Sequence, residues 1–216
     1  MAEITAKLVK ELRDRTGSGM MDCKKALQET NGDIEAAAVW LRENGMAKAD
    51  KKASRTTTEG LVDSYIHPNG RVGVLVEVNI ETDYAAANEE FKAFVKDVAM
   101  QIAAMKPRWV RREEVPAEII EQEKEIIRNE ALNEGKPEQI VDKIAEGRIN
   151  KFYSENCLME QESIKVDKQT IEELRQELVL RIGENINVRR FVRYELGEGL
   201  EKKEENFAEE VMKQLQ

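Results

Sequence analysis

The residues best placed to act on another molecule are Thr82-Asp83-Tyr84-Ala85, where a carboxylate and an aromatic ring stand side by side. They follow five apolar residues at alternate positions, Val72, Val74, Val76, Val78 and Ile80, and precede Asn88, where Phe91, Phe94, Val95, Val98 and Ile102 take up helical spacing. Alternation marks a half-buried strand and the longer spacing a helix, so the stretch between them is a strand-to-helix turn. Such a turn admits two uses. Asp83 can cap the helix while Tyr84 folds back on the core, or the pair can project as a probe toward a partner.

Other reactive side chains are few. His67 is the one histidine and Cys23 and Cys157 the two cysteines, so no zinc-ligand spacing can be assembled, and a Cys/His nucleophilic pair would have to form across the fold. His67 adjoins Pro68 at a hairpin tip, where a surface histidine is the plain reading. Gly135-Lys136 is followed by Pro137 and preceded at the needed spacing by Glu130, which excludes a P-loop, and Gly17-x-Gly19 is too short for a dinucleotide fingerprint. The 43 Asp and Glu residues serve as solvation along helical faces, and no acid/base pair stands out. The chain therefore reads as a protein without enzymatic chemistry, with no catalytic residue, cofactor or metal site expected.

Over 216 residues a sizeable core can be buried in one or two domains, and 36% charged against 5% aromatic residues describes a helix-rich soluble protein. A formal net charge of −9 opposes broad attachment to nucleic acid or to anionic membranes. A local basic cluster of Lys48, Lys51, Lys52 and Arg55 against Asp50 reads either as a solvated linker or as a binding patch. Two cysteines make no disulfide framework, and each falls within a helical pattern, so a reducing compartment is expected. No basic segment with an apolar run opens the chain and no stretch approaches the ~20 apolar residues of a membrane span, so a cytoplasmic protein is expected.

The elements that must position the turn follow from periodicity. Ile4, Leu8, Val9 and Leu12 form a stripe that stops at Gly17; Cys23, Ala26 and Leu27 form a second; Ile34, Ala37, Ala38 and Leu41 form a third, capped by Asp33 and ended by Gly45. Met20-Met21 at the start of the second helix supply either adaptable contact surface or core. A hairpin runs from Leu61 to His67, turns at Pro68-Asn69-Gly70 and returns from Arg71 to Ile80. Pro107 breaks the next helix. Pro116 opens another carrying Ile119, Ile120, Ile126 and Ile127; Gly135-Lys136-Pro137 turns the chain, and Ile140, Val141, Ile144, Ile149 and Phe152 continue on a partner helix as an antiparallel arm. Ile171, Leu174, Leu178 and Ile182 mark a helix capped by Asp167, and Asn187 to Leu196 a closing strand. Beyond the Gly197-Glu198-Gly199 joint, Phe207, Ala208, Val211, Met212 and Leu215 line a terminal helix. The expected fold class is α+β, with a three-helix unit at 1–45, a basic linker at 46–59, a core at 60–196 that includes an arm at about 116–157, and a C-terminal module at 197–216.

Three blocks in order carry a family resemblance. Leu8-Val9-Lys10-Glu11-Leu12-Arg13 with Thr16-Gly17-Ser18-Gly19-Met20-Met21-Asp22-Cys23-Lys24-Lys25-Ala26-Leu27 and Gly32-Asp33 leading to Trp40-Leu41-Arg42 is the first. Glu81-Thr82-Asp83-Tyr84 is the second, and Arg190-Phe191-Val192-Arg193-Tyr194-Glu195-Leu196-Gly197-Glu198-Gly199-Leu200-Glu201 with Phe207-Ala208 is the third. Nearly the whole chain thereby resembles bacterial elongation factor Ts, the guanine-nucleotide exchange factor of elongation factor Tu. The resemblance implies a ubiquitin-associated-like (UBA-like) three-helix head, a dimerisation-type α+β core and a C-terminal module. It implies that Thr82, Asp83, Tyr84 and Ala85 enter the nucleotide domain of elongation factor Tu and dislodge Mg²⁺. Met20, Met21 and Lys24 of the head and Phe207, Val211 and Leu215 of the module become further partner contacts. Tyr84, Ala85 and Ala87 stand where the family usually has Phe, Val and a basic residue. One copy of the core subdomain is present where longer members have two, which implies a homodimer. The alternative is a Tu-binding scaffold or chaperone that kept the fold and lost strong exchange.

Overall fold

A computed structural model describes residues 4–200, apart from the side chains of residues 46–48 and 50. Three helices open it. Thr5 accepts a hydrogen bond from the Leu8 N–H (3.3 Å) and starts α1 (Ala6–Thr16), which Gly17 closes in a left-handed conformation with φ 67°. After α2 (Met20–Glu29), Asn31-Gly32 reverses the chain, and Asp33 accepts from the Ala36 N–H at 2.9 Å to begin α3 (Ile34–Lys52). Val9, Leu12, Cys23, Ala26, Leu27, Ala37 and Leu41 form one buried cluster among these helices.

Helix α3 does not end at Gly45. It continues to Lys52, so the stretch expected as a basic linker is helical over its first half, and Ala49 is buried in the central core. Gly45 has a packing role instead: a Cβ there would stand 2.3 Å from Leu180 Cδ1, so its lack of a side chain lets α3 approach the helix that carries Leu180. Lys52 then donates to the Gly183 carbonyl oxygen at 2.6 Å.

The sheet is a three-stranded antiparallel meander, β1 (Glu59–Ile66), β2 (Val72–Ile80) and β3 (Ile186–Glu195), with β2 in the centre. Alternation on β2 sends Val74, Val76, Val78 and Ile80 to one face, where they are buried against Phe91, Phe94, Val95, Val98 and Ile102 of α5 (Glu89–Met105). Asn88 caps α5 by accepting from the Glu90 N–H (2.7 Å), and Lys106 ends it ahead of Pro107. Helix α8 (Ile171–Ile182) completes the inner layer with Ile171, Leu178 and Val179. Its cap is Thr170, in a reciprocal box with Glu173, rather than Asp167, which lies in a turn four residues before the helix begins.

Helices α6 (Ala117–Asn133) and α7 (Glu138–Asn156) pair along Ile127, Ala145 and Ile149, with Ile120, Phe152 and Tyr153 at the seam's edge, as the antiparallel arm requires. Arg128–Asp142 (2.8 Å) and Arg148–Glu134 (3.1 Å) cross between them, but exposed pairs contribute about 0–1 kcal/mol each, so the apolar seam carries the pairing. Cys157 lies one residue past α7 rather than within it, bridged to Trp109 at the root of the arm. Residues 201–216, which hold the expected terminal helix with Phe207, Val211 and Leu215, lie outside the described residues.

Between β2 and β3 the register slips at Glu77, so that Arg189 and Arg190 both reach its carboxylate at 2.7 Å. Their hydrogen bonds hold the Glu77 carboxyl down at about 2, against an ordinary 4.5. A depressed folded-state value stabilises the fold only while the group is ionised, fully above about 4.5 and progressively less down to 2. Glu77→Gln is therefore expected to lower the urea midpoint at pH 7, and the gap to the parent should close between pH 4.5 and 2. A gap independent of pH would assign the loss to packing.

Candidate functional site

The strand-to-helix turn begins where Ile80 is fully buried at the end of β2. Thr82, extended at φ −127°, ψ 154°, caps the four-residue helix α4 (Asp83–Ala86) by accepting from the Ala85 N–H at 3.2 Å. The Asp83 carboxylate accepts from the Tyr84 N–H at 2.7 Å. Ala85 and Ala86, 5% and 7% exposed, pin the short helix to the core, while the Tyr84 side chain between Asp83 and these alanines is 88% exposed.

Of the two uses of the turn, capping by Asp83 with Tyr84 on the core is overturned. Thr82 caps α4, Asn88 caps α5, and the ring points to water. Thr82, Asp83 and Tyr84 thus form one exposed tip, whereas Ala85 anchors it from the buried side. Met20 and Met21 are 50% and 74% exposed at the start of α2, and Lys24 is exposed one turn on, so both methionines stand at the surface rather than in the head's core. Among the described residues no hydrogen bond or ion pair joins them to the tip.

Fastening of the tip comes from the loop between α8 and β3. One Glu184 carboxylate oxygen accepts from the Thr82 N–H (3.0 Å) and the other from the Thr82 hydroxyl (2.8 Å). The buried Asn185 donates its N–H to Glu81 Oε1 at 2.6 Å and its side-chain amide to the carbonyls of Ala53 (3.2 Å) and Arg55 (2.9 Å). Arg55 in turn pairs with Glu81 at 3.4 Å. Sequence reasoning missed this network, because its members are about a hundred positions apart; the one local signal was a polar Glu-Asn pair directly after the helix-ending Gly183.

Elsewhere the cysteines are buried and the clustered arginines are paired. Burial pushes the Cys157 thiol up to about 11 and raises Cys23 as well, so both stay protonated near neutrality. His67 Nδ1 stands 3.1 Å from the Tyr65 hydroxyl at the hairpin tip. A 320 Å³ cleft between α3 and α8 contains Arg15, Arg42 and Arg181, whose charges are neutralised by Glu35, Glu173 and Glu90. No helix among the described residues is long and apolar enough to cross a membrane.

The outer face of the sheet is the other departure from an ordinary surface. Val62 and Ile66 of β1, Leu75 of β2, and Val192 and Tyr194 of β3 are 45–75% exposed, and the register sets Leu75 beside Val192. A three-stranded sheet with an uncovered apolar face, an antiparallel helical arm, a three-helix unit and an exposed Asp-Tyr tip leave apolar and aromatic side chains in water, the pattern that marks protein-interaction surfaces. The family model described as Elongation factor TS matches residues 5–198. Elongation factor Ts of Acetivibrio thermocellus is 64% identical over 98% of this chain and 99% of its own length; that of Heliobacterium modesticaldum is 63% identical over the same shares. That of Desulforamulus reducens is 61% identical over 100% and 99%. The chain belongs to the elongation factor Ts family, whose members act in protein synthesis.

An exposed ring contributes little to the core. Tyr84→Ala is therefore expected to change unfolding free energy by no more than about 0.5 kcal/mol, whereas Thr82→Ala, which removes the cap, should cost about 1 kcal/mol. Urea denaturation checks both, and a loss above about 2 kcal/mol for Tyr84→Ala would return the ring to the core.

Proposed function

We propose that this chain binds elongation factor Tu carrying GDP and promotes GDP release, with Asp83 and Tyr84 pressed into the nucleotide domain near its Mg²⁺. The observation that supports this most directly is the Tyr84 ring, held in water on a turn whose backbone is fastened on both sides. A nucleotide bound at nanomolar Kd holds about 12 kcal/mol. An exchange factor need not supply all of it, because negative coupling between the two binding events weakens each by the same factor. An apolar ring entering packed helices shifts the elements that cradle the phosphates, and a carboxylate brought to the metal site competes for the ion that neutralises them. No covalent bond forms or breaks, so the activity is exchange and not enzymatic conversion.

Met20, Met21 and Lys24 of the head are a second contact in this reading. Met side chains adapt to a partner's surface, and the N-terminal half of α2 presents all three. Phe207, Val211 and Leu215 provide a third from the C-terminal module. A second copy of this chain covers the outer face of the sheet: Val62, Ile66, Leu75, Val192 and Tyr194 are too large an apolar group to leave in water, and two such faces pack as a sandwich. Both β1 and β3 are edge strands, which adds unpaired backbone to the same region.

Release of labelled GDP from elongation factor Tu tests the tip. Tyr84→Ala is expected to slow stimulated release about tenfold, equivalent to about 1.4 kcal/mol of coupling. Tyr84→Phe should retain the parent rate, and Asp83→Asn should show a smaller loss that shrinks as Mg²⁺ is lowered. Release by Tyr84→Ala at the parent rate would end this mechanism, and tight binding without stimulated release by the parent chain would favour the scaffold alternative.

Sedimentation tests the pairing. At about 10 μM the chain should run at twice its own mass, and Val192→Asp, which places a charge on the outer face, should run as a folded monomer. A parent monomer at that concentration contradicts the dimer.

A further inference from the structure

We infer that Glu184 is a positioning residue for the tip, holding the Thr82 cap in the orientation from which Asp83 and Tyr84 project. The inference rests on the proposed role of the tip in exchange. Helix α4 has four residues and cannot hold its own shape, since a single turn fixes several dihedrals for very few hydrogen bonds. Its orientation must therefore be imposed from outside. Ala85 and Ala86 fix one side by burial, and Glu184 is the side chain that fixes the other.

The geometry makes the two bonds more than a surface contact. Thr82 donates both its N–H and its hydroxyl to the same carboxylate, at 3.0 and 2.8 Å, so the residue is gripped at backbone and side chain together. The hydroxyl oxygen that donates to Glu184 also accepts from the Ala85 N–H at 3.2 Å. A carboxylate that draws on the hydroxyl proton leaves the oxygen a better acceptor, so the charge strengthens the cap through the hydroxyl. Glu184 is itself on a fixed support. Gly183, at φ 88°, ends α8 with its N–H on the Val179 carbonyl (2.9 Å), and Asn185 on the other side is buried and bonded to Glu81, Ala53 and Arg55. Because Lys52 of α3 donates to the Gly183 carbonyl, the same loop also receives the end of the helix that leaves the head.

Two measurements on the full-length protein test this. Amide hydrogen exchange of Tyr84, Ala85 and Ala86 in the free protein reports whether Glu184 holds the tip, without the partner. Stimulated GDP release, titrated with elongation factor Tu, separates the maximal rate from the half-saturating concentration. For Glu184→Ala, protection of the three amides should fall about tenfold in a protein that stays folded, and the maximal rate should fall about three- to tenfold with half-saturation little altered. Glu184→Gln keeps one acceptor oxygen for Thr82 and should lie between; it also serves if the alanine variant fails to fold. In a Tyr84→Ala background, Glu184→Ala should have no further effect on the maximal rate, since both act through the ring.

Unchanged amide protection in Glu184→Ala overturns the inference, as does a parental release rate in that variant when Tyr84→Ala is slow. Parental release by Tyr84→Ala itself refutes the role of the tip instead, and the amide protection still decides whether Glu184 holds it.

Discussion

Everything that positions the tip depends on the packing of one strand under one helix. Val74, Val76, Val78 and Ile80 of β2 are buried against α5, and among the described residues β2 is the only strand with a neighbour on each side. Burying an aliphatic side chain of this kind contributes about 1.5–3 kcal/mol, so these four with Phe91 and Ile102 outweigh the exposed ion pairs that decorate the rest of the surface. The strand ends at a fully buried Ile80, and the chain must then leave the core within two residues to reach Thr82. The tip projects at the place where the deepest packing stops.

That packing holds the base of the tip but does not orient it. Orientation is the work of a polar loop 100 residues further along, in which Glu184 and Asn185 reach Thr82 and Glu81 on one side and the carbonyls after α3 on the other. The hydrogen bonds to carboxylates here are partly exposed, and each contributes modestly to stability. Their effect is geometric: four polar groups around one turn remove the freedom that a four-residue helix would otherwise have. The head enters the same loop through Lys52, while Gly45 lets α3 lie close against Leu180 of α8. A contact made through Met20 and Met21 and one made through Tyr84 therefore belong to units joined by a helix and a shared loop, rather than to units on a loose tether.

Local signals carried most of the fold, and they failed chiefly where distant residues decide. The β2 alternation, the Pro68-Asn69-Gly70 turn, the Asn88 start of α5 and the Gly135-Lys136-Pro137 turn of the arm all appear where periodicity and turn chemistry place them. Gly45 was legible as a glycine but not as a packing glycine, since its reason is Leu180, 135 positions away. Asp167 was a reasonable cap by type, yet Thr170-x-x-Glu173 forms the stronger reciprocal box and takes the helix start. Cys157 shows the same limit in miniature: it is the first residue past α7, extended and bridged to Trp109, a partner that no local period marks. The tip residues were legible by position, and the exposure of Tyr84 was not. Whether a turn aromatic faces core or water is decided by packing partners, and both outcomes satisfy the same sequence. The grip of Glu184 on Thr82 was beyond reach for the same reason, since no periodicity links residues 82 and 184.

Rigidity of the tip also bears on the proposed exchange role, which calls for no assembled reactive site. An exchange factor acts by making one bound state less compatible with another, so what it contributes is differential binding free energy delivered through shape and charge. A mobile ring would lose part of that free energy to its own ordering on insertion, about 0.5–1.5 kcal/mol for one immobilised side chain and more for a segment. Tyr84 has two rotatable side-chain torsions and stands on a backbone already fixed by Thr82, Ala85 and Ala86, so in the proposed role less of the binding free energy goes to ordering and more to displacing the partner's elements. The acidic charge beside it sits on the same fixed turn, which lets the ring and the carboxylate arrive together. On the proposed reading, the fastening of the turn, and not the identity of the ring alone, sets how strongly binding of the chain is coupled to loss of nucleotide.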